Sequence, residues 1–359
     1  MAKTALLGAR NPHSAGHLRT LQAMPEVEGI VLWDEDPAAL AALRQAGTDK
    51  VEAAYTNLDA LLAHQDLPWV IAALRPDINP GICQRVLAAG KHVLSEKPLG
   101  RRAADVEPLV AAAEQAGLQL GVCYLNRYHP VVQRARALIG EGVIGPLMSV
   151  EVRLITTQVK KRDPRHWLFS DAYAGGGILA WLGCHYLDLM RYLTGDEVIS
   201  VMAEVATRSG EVIDVEDIAT LSLRFRSGAV GSLHAGYVLA LSGEGYFNQA
   251  GYDSYIGLNG REGRIYWTPT ATAPCLHVES TLPAWSSAPI WDMHLPALPP
   301  SLAYGGVYGV AMVRDFIRAT QGQCAVPAGG WDALQAQRIV DAAYESSRTG
   351  RRVAVPPPG

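Results

Sequence analysis

Apolar positions along the chain fall into two textures. Over the first third, short apolar runs alternate with segments of helical period. Thr4–Leu7 precedes a helix over Ser14–Met24, and Gly29–Trp33 precedes an Ala/Leu-rich helix opened by Asp36-Pro37. A short helix fits Leu58–His64. Trp69–Leu74 leads into Pro80–Ala89, and His92–Ser95 into Ala103–Gln115, with Leu118–Tyr124 as the last run. Continuous apolar runs bounded by turn residues read as strands buried on both faces. With helices between them they predict a parallel sheet. Asp36 is placed to cap its helix, with Pro37 at the first helical position.

After Tyr124 the texture changes. One amphipathic helix, Pro130–Leu138, is followed by long alternating segments: Met148–Thr157, Val198–Thr207, Ile218–Phe225, Ala229–Val238, Tyr255–Leu258 and Ile265–Trp267. Alternation with few helices predicts an antiparallel sheet. A helix over Ile178–Leu193 closes at Gly195, and another spans Gly330–Ser347. The two textures divide the α/β chain into domains at 1–123 and 124–359. Gln158–Asp171 and the Pro/Trp/Ser-rich Trp285–Tyr308 read as long loops, a length that often carries function.

Composition narrows the class. The 359 residues hold 31 Lys+Arg against 35 Asp+Glu, a balance that argues against a nucleic-acid partner. No apolar run approaches the roughly 18 residues a membrane helix needs, and the opening apolar stretch is short for a signal peptide. Five cysteines, scattered and unpaired in spacing, suggest reduced thiols in a cytoplasmic protein and offer no metal signature.

The chemistry concentrates at strand ends, where open α/β sheets bind ligands. Gly8 ends the first strand ahead of a helix, as a dinucleotide loop requires, but Arg10 stands where a second glycine is usual. Asp34 ends the second strand, where a carboxylate binds a ribose 2′-OH and repels a 2′-phosphate; it favours NAD over NADP. Glu96-Lys97-Pro98 follows the strand at His92–Ser95, and a cis Lys97–Pro98 bond suits that turn.

Ala88-Ala89-Gly90-Lys91-His92-Val93-Leu94-Ser95-Glu96-Lys97-Pro98 resembles the signature of the Gfo/Idh/MocA oxidoreductases. Asn126-Arg127-Tyr128-His129-Pro130 is similar to their entry into the second domain. Gly175-Gly176-Gly177-Ile178-Leu179-Ala180-Trp181-Leu182-Gly183-Cys184-His185-Tyr186-Leu187-Asp188 resembles their glycine–histidine block, and Asp341–Ser347 fits their ending. The resemblance implies an N-terminal Rossmann domain, a C-terminal domain with a large, mostly antiparallel open sheet, and a homo-oligomer formed through that sheet. It implies hydride transfer between NAD and a hydroxyl or keto carbon of a sugar, cyclitol or sugar derivative. The cofactor residues are then Gly8, Arg10, Asn11, Ser14, Asp34, Leu74, Pro76, Glu96 and Lys97.

By the same resemblance, Lys97 and His185 match the catalytic lysine and histidine. Oxidising a C–OH needs a base for the hydroxyl proton as the hydride leaves. Tyr128, Arg165, Trp167, Trp181, His185 and Asp188 are the candidate substrate ligands, with His166, His234 and Tyr237 behind them. At helical spacing Trp181, His185 and Asp188 share one stripe. Trp181 departs from the family, which commonly has an aspartate there; indole can only donate a hydrogen bond, but its flat face suits a sugar. That departure keeps two alternatives open: a glycosidase that uses NAD transiently, and a sugar- or NAD-sensing protein without turnover.

Overall fold

The computed structural model describes residues 2–241, 252–269, 274–296 and 299–357. Contacts divide the chain into two compact units, Met1–Tyr128 with Leu298–Leu334, and His129–Ala297 with Gln335–Gly359.

The first unit is built on a six-stranded sheet from β1 (Ala2–Leu7), β2 (Val27–Trp33), β3 (Val51–Tyr55), β4 (Trp69–Ala72), β5 (His92–Ser95) and β6 (Leu120–Val122). Its order is β3-β2-β1-β4-β5-β6 and every pairing is parallel. The order reverses between β1 and β4, the switch point of a doubly wound fold. Five helices connect the strands: α1 (Ser14–Ala23), α2 (Pro37–Arg44), α3 (Leu58–Leu62), α4 (Asn79–Ala88) and α5 (Ala103–Ala116). Asp36 caps α2 as expected, its carboxylate accepting from Ala38 N–H at 2.8 Å. β3 was not legible as a strand, because Val-Glu-Ala-Ala-Tyr is short and leaves no residue fully buried.

The second unit opens with α6 (Pro130–Gly140) and is built on a nine-stranded sheet. Its strands are β7 (Leu147–Thr157), β8 (Val198–Ala206), β9 (Ile218–Phe225), β10 (Val230–Leu239), β11 (Tyr252–Gly260), β12 (Gly263–Trp267), β13 (Cys275–Ser280), β14 (Ile290–His294) and β15 (Val353–Ala354). They lie in the order β14-β13-β12-β11-β7-β10-β9-β8-β15, antiparallel except for β7 with β10. One face buries Val152, Leu221, Leu233, Ile256 and Ile265 with residues of α6 and α8 (Cys184–Thr194); α7 (Asp171–Ala174) precedes the turn into α8. β14 lies inside the stretch expected to be a loop. It is an edge strand with Ile290 and Trp291 exposed, so no buried face marks it in the sequence.

The expected division at 123/124 misses a return of the chain. Helix α9 (Val307–Thr320) packs Met312, Val313, Phe316 and Ile317 into the core of the first unit. Phe316 meets Trp69 of β4 edge-on at 6.1 Å, in space left open by Gly121, where a Cβ would come within 2.9 Å of the phenyl ring. The last helix is α10 (Gly330–Thr349). Among the described residues, no helix is long and apolar enough to cross a membrane.

Candidate active site

At the C-terminal ends of β1 and β2 the chain builds a cradle. Gly8 has φ +94°, and a Cβ there would sit 2.2 Å from the carbonyl oxygen of Ala73, so only glycine fits. Ser14 Oγ donates to Gly8 O at 2.8 Å, and Asn11 joins the loop to Leu74 O at 3.3 Å, drawing four of the expected cofactor residues together. Asp34 is buried; its two oxygens accept from Ala9 N–H at 2.8 Å and Asp36 N–H at 2.9 Å. Arg10 lies over this carboxylate at 3.1 Å and reaches Glu35 at 2.8 Å. Its guanidinium thus pairs with both carboxylates at the end of β2. Pro76 is buried just beyond β4. A glycine turn at the switch point, a helix N-terminus beyond it and a carboxylate at the second strand end fit a dinucleotide.

Beneath the cradle, Glu96 and Lys97 follow β5 and are only 1% and 2% exposed. Lys97–Pro98 is cis. Glu96 Oε1 accepts from His17 Nε2 at 2.7 Å and stands 3.1 Å from His13 Nδ1; Oε2 accepts from Lys97 N–H at 3.1 Å. Burial pushes this carboxyl up, but the two imidazoles outweigh it and hold it well below the usual carboxylate range. Burial holds His13 below its ordinary value. Tyr304 covers both imidazoles at 4.4 Å. Glu96 is thus committed to the floor under Lys97, by residues that sequence patterning did not single out. Tyr128 belongs to this unit too, donating to Asp315 of α9 at 2.9 Å, and Arg127 pairs with Asp332 at 3.0 Å.

The second unit presents the glycine block. Gly175 ends α7 at φ +74°. A Cβ on Gly177 would lie 1.8 Å from the carbonyl oxygen of Glu216, so the turn has no room for a side chain. The Glu216 carboxylate accepts from Gly177 N–H at 2.7 Å, Leu179 N–H at 2.8 Å and Tyr344 Oη at 3.0 Å. It satisfies donors that a helix start leaves orphaned. Burial pushes Glu216 above the usual carboxylate range, against those hydrogen bonds.

Leu179–Gly183 then forms a π-helical turn that runs into α8. The wider turn interrupts the 3.6-residue register, so the stripe expected from Trp181 onward does not run unbroken. His185 and Asp188, three apart within α8, keep a common face; His185 is half-buried and Asp188 fully buried.

Trp181 is buried and meets Trp167 edge-on at 5.5 Å and 89°. Trp167 Nε1 is buried without a hydrogen-bond partner. His166 supports this turn by accepting from Leu168 N–H at 3.3 Å. Arg165 points into solvent, 91% exposed, and pairs with Asp163 at 3.2 Å. Tyr237 is buried between Phe169 and Arg162, whereas His234 lies on the exposed sheet face against Thr220.

Residues 2–124 match the oxidoreductase family with an NAD-binding Rossmann fold, and residues 132–266 match the GFO/IDH/MocA C-terminal domain. The chain belongs to the GFO/IDH/MocA oxidoreductases. Within that family it is 26% identical to D-apiose dehydrogenase of Paraburkholderia graminis, over 98% of this chain and 89% of the relative. It is 24% identical to inositol 2-dehydrogenase of Rhizobium meliloti, over 94% and 95% of the two chains. Levoglucosan dehydrogenase in complex with NADH shares the fold with a TM-score of 0.87 at 23% identity, each chain 99% covered. The GFO/IDH/MocA assignment agrees with the expected fold class and family. Sequence reasoning missed Glu216, Tyr344, His13, His17 and Tyr304. No local signal marks Glu216, whose contact with Gly177 spans 39 residues.

Proposed function

We propose that this oxidoreductase uses NAD to oxidise a hydroxyl carbon of a sugar, cyclitol or sugar derivative, or to reduce the corresponding keto carbon. The observation that carries this reading is Lys97: a lysine withdrawn from water at the C-terminal end of β5, over a floor of Glu96, His13 and His17. A lysine so placed, at a strand end where open α/β sheets bind ligands, is suited to exchange a proton with a hydroxyl. When bound, NAD supplies the hydride acceptor.

Gly8, Asn11, Ser14 and Leu74 would shape the pyrophosphate end of the cofactor site. Asp34 would accept from the adenosine ribose 2′-OH at the end of β2, which supports NAD over NADP. His185 is assigned the second proton-handling role. The Trp167–Trp181 pair supports a polyol substrate, since it offers an apolar wall for C–H faces and one indole N–H in need of an acceptor. Relatives that act on D-apiose, inositol and levoglucosan support the same substrate class. The exposed sheet face of the second unit is the proposed self-association surface, to be checked by light scattering.

The test is NADH absorbance after adding NAD⁺ and a panel of sugars, uronates and cyclitols, beside Lys97→Ala and with NADP⁺ as the comparison. A Lys97-dependent signal with NAD⁺ is expected, and loss of Lys97 should lower kcat by roughly 10²–10⁴-fold. A signal that survives Lys97→Ala would overturn the assignment of the base. Cleavage of glycosides with no net NADH would replace simple dehydrogenation with transient oxidation.

A further inference from the structure

The edge of the nine-stranded sheet gathers donor atoms that neither unit's catalytic residues use. β13 and β14 pair antiparallel, with Cys275 opposite His294 and His277 opposite Asp292. Side chains alternate across a strand, so these four project from one face while Leu276 and Val278 point into the core. One donor atom each from Cys275, His277 and Asp292 lies within 4.8 Å of the others. His277 Nδ1 is 2.7 Å from Asp292 Oδ1. The imidazole is held from behind by Tyr266, directly across on β12, stacked at 4.7 Å and 15°. The ring plane is thereby fixed with a nitrogen aimed at the carboxylate. All four side chains are at least partly exposed in the single chain, so the path from solvent is open before the sheet self-associates.

We propose that the β13–β14 ribbon is a binding site for one divalent cation of borderline softness, Zn²⁺ being the type. Cys275 Sγ, His277 Nδ1 and a carboxylate oxygen of Asp292 are its ligands, and solvent completes the coordination. A thiolate, an imidazole and a carboxylate within 4.8 Å of one another are the donor set such a cation takes, whereas Mg²⁺ and Ca²⁺ call for oxygen alone. On binding, the thiol proton of Cys275 leaves to solvent. His277 moves its ring proton to Nε2, so one proton is released per cation. The sequence conceals this site because Cys-x-His and Asp-x-His meet only through strand register.

The experiment uses the full chain, freed of metal with a chelator and titrated with Co²⁺ as a spectroscopic stand-in, then with Zn²⁺. One Co²⁺ per chain is expected, with a near-ultraviolet thiolate-to-cobalt charge-transfer band and the intense visible bands of four-coordinate Co²⁺, all removed by Zn²⁺. Cys275→Ser should abolish the charge-transfer band. His277→Ala and Asp292→Asn should each weaken binding by at least roughly 10–100-fold. Asp292 sits on an exposed edge strand, so Asp292→Asn tests the site even if another variant misfolds. Failure of the wild-type chain to bind stoichiometric Co²⁺ would overturn the proposal. So would a complex indifferent to all three substitutions, which would place the cation elsewhere, for instance on the buried His17, Glu96 and Cys123.

Discussion

Two buried carboxylates, Glu96 in the first unit and Glu216 in the second, behave oppositely. Glu96, under Lys97, is held below the usual range by two imidazoles, while Glu216, at the start of the turn leading to His185, is pushed above it. Both are sealed from water, so burial alone does not set the direction. Glu96 faces two groups able to carry positive charge; Glu216 faces two backbone N–H groups and a phenol, which orient a carboxylate without fully offsetting its desolvation. The first carboxylate anchors charge next to a lysine. The second anchors backbone.

Four substitutions test this contrast. The largest effect is expected at Gly177→Ala, where the new methyl must displace the Glu216 backbone. Denaturant unfolding should show a loss of about 4 kcal/mol or more, and a loss below about 1 kcal/mol would mean the turn relaxes freely. Glu96→Gln breaks a buried charge cluster and should cost about 3–5 kcal/mol near neutrality.

That cost has a pH signature. A carboxyl with a depressed folded pKa stabilises the fold above the ordinary carboxylate range and loses this as pH falls through the folded value. The gap between wild type and Glu96→Gln should therefore narrow on acidification, as measured by melting temperature. Glu216→Gln puts an amide N–H against donors and should cost about 1–3 kcal/mol in acid. Here the sign reverses. The raised folded pKa makes wild type lose stability as pH climbs above the ordinary carboxylate range, so this gap should also narrow, but toward alkaline pH. Equal behaviour of the two variants would dissolve the comparison. The smallest effect is Tyr344→Phe, about 0.5–1.5 kcal/mol for one hydrogen bond to Glu216 Oε1.

What the sequence discloses follows the range of the forces involved. Apolar runs such as Val93–Ser95 and the Asp36-Pro37 cap act within a few residues, and β5 and α2 form where they indicate. Lys97 was legible because charge at a buried strand end is conspicuous. The three glycines before Trp181 were legible as a turn, but their reason was not: Glu216 and Tyr344 arrive from distant parts of the chain. The return of α9 to the first unit is equally hidden, since its apolar stripe says that it packs and not where. Exposure is hidden too: nothing in the residue type of Arg165 tells that its side chain stands in solvent beside Asp163.

The edge-on contact of Trp167 with Trp181 also has an optical consequence. An indole whose N–H lacks an acceptor emits to the blue of one that donates a hydrogen bond. If a polyol hydroxyl occupies Trp167 Nε1, the chain's emission should shift to the red on titration with substrate, and Trp167→Phe should remove the shift. The pair would then act as a built-in reporter, giving a dissociation constant without a label and without turnover.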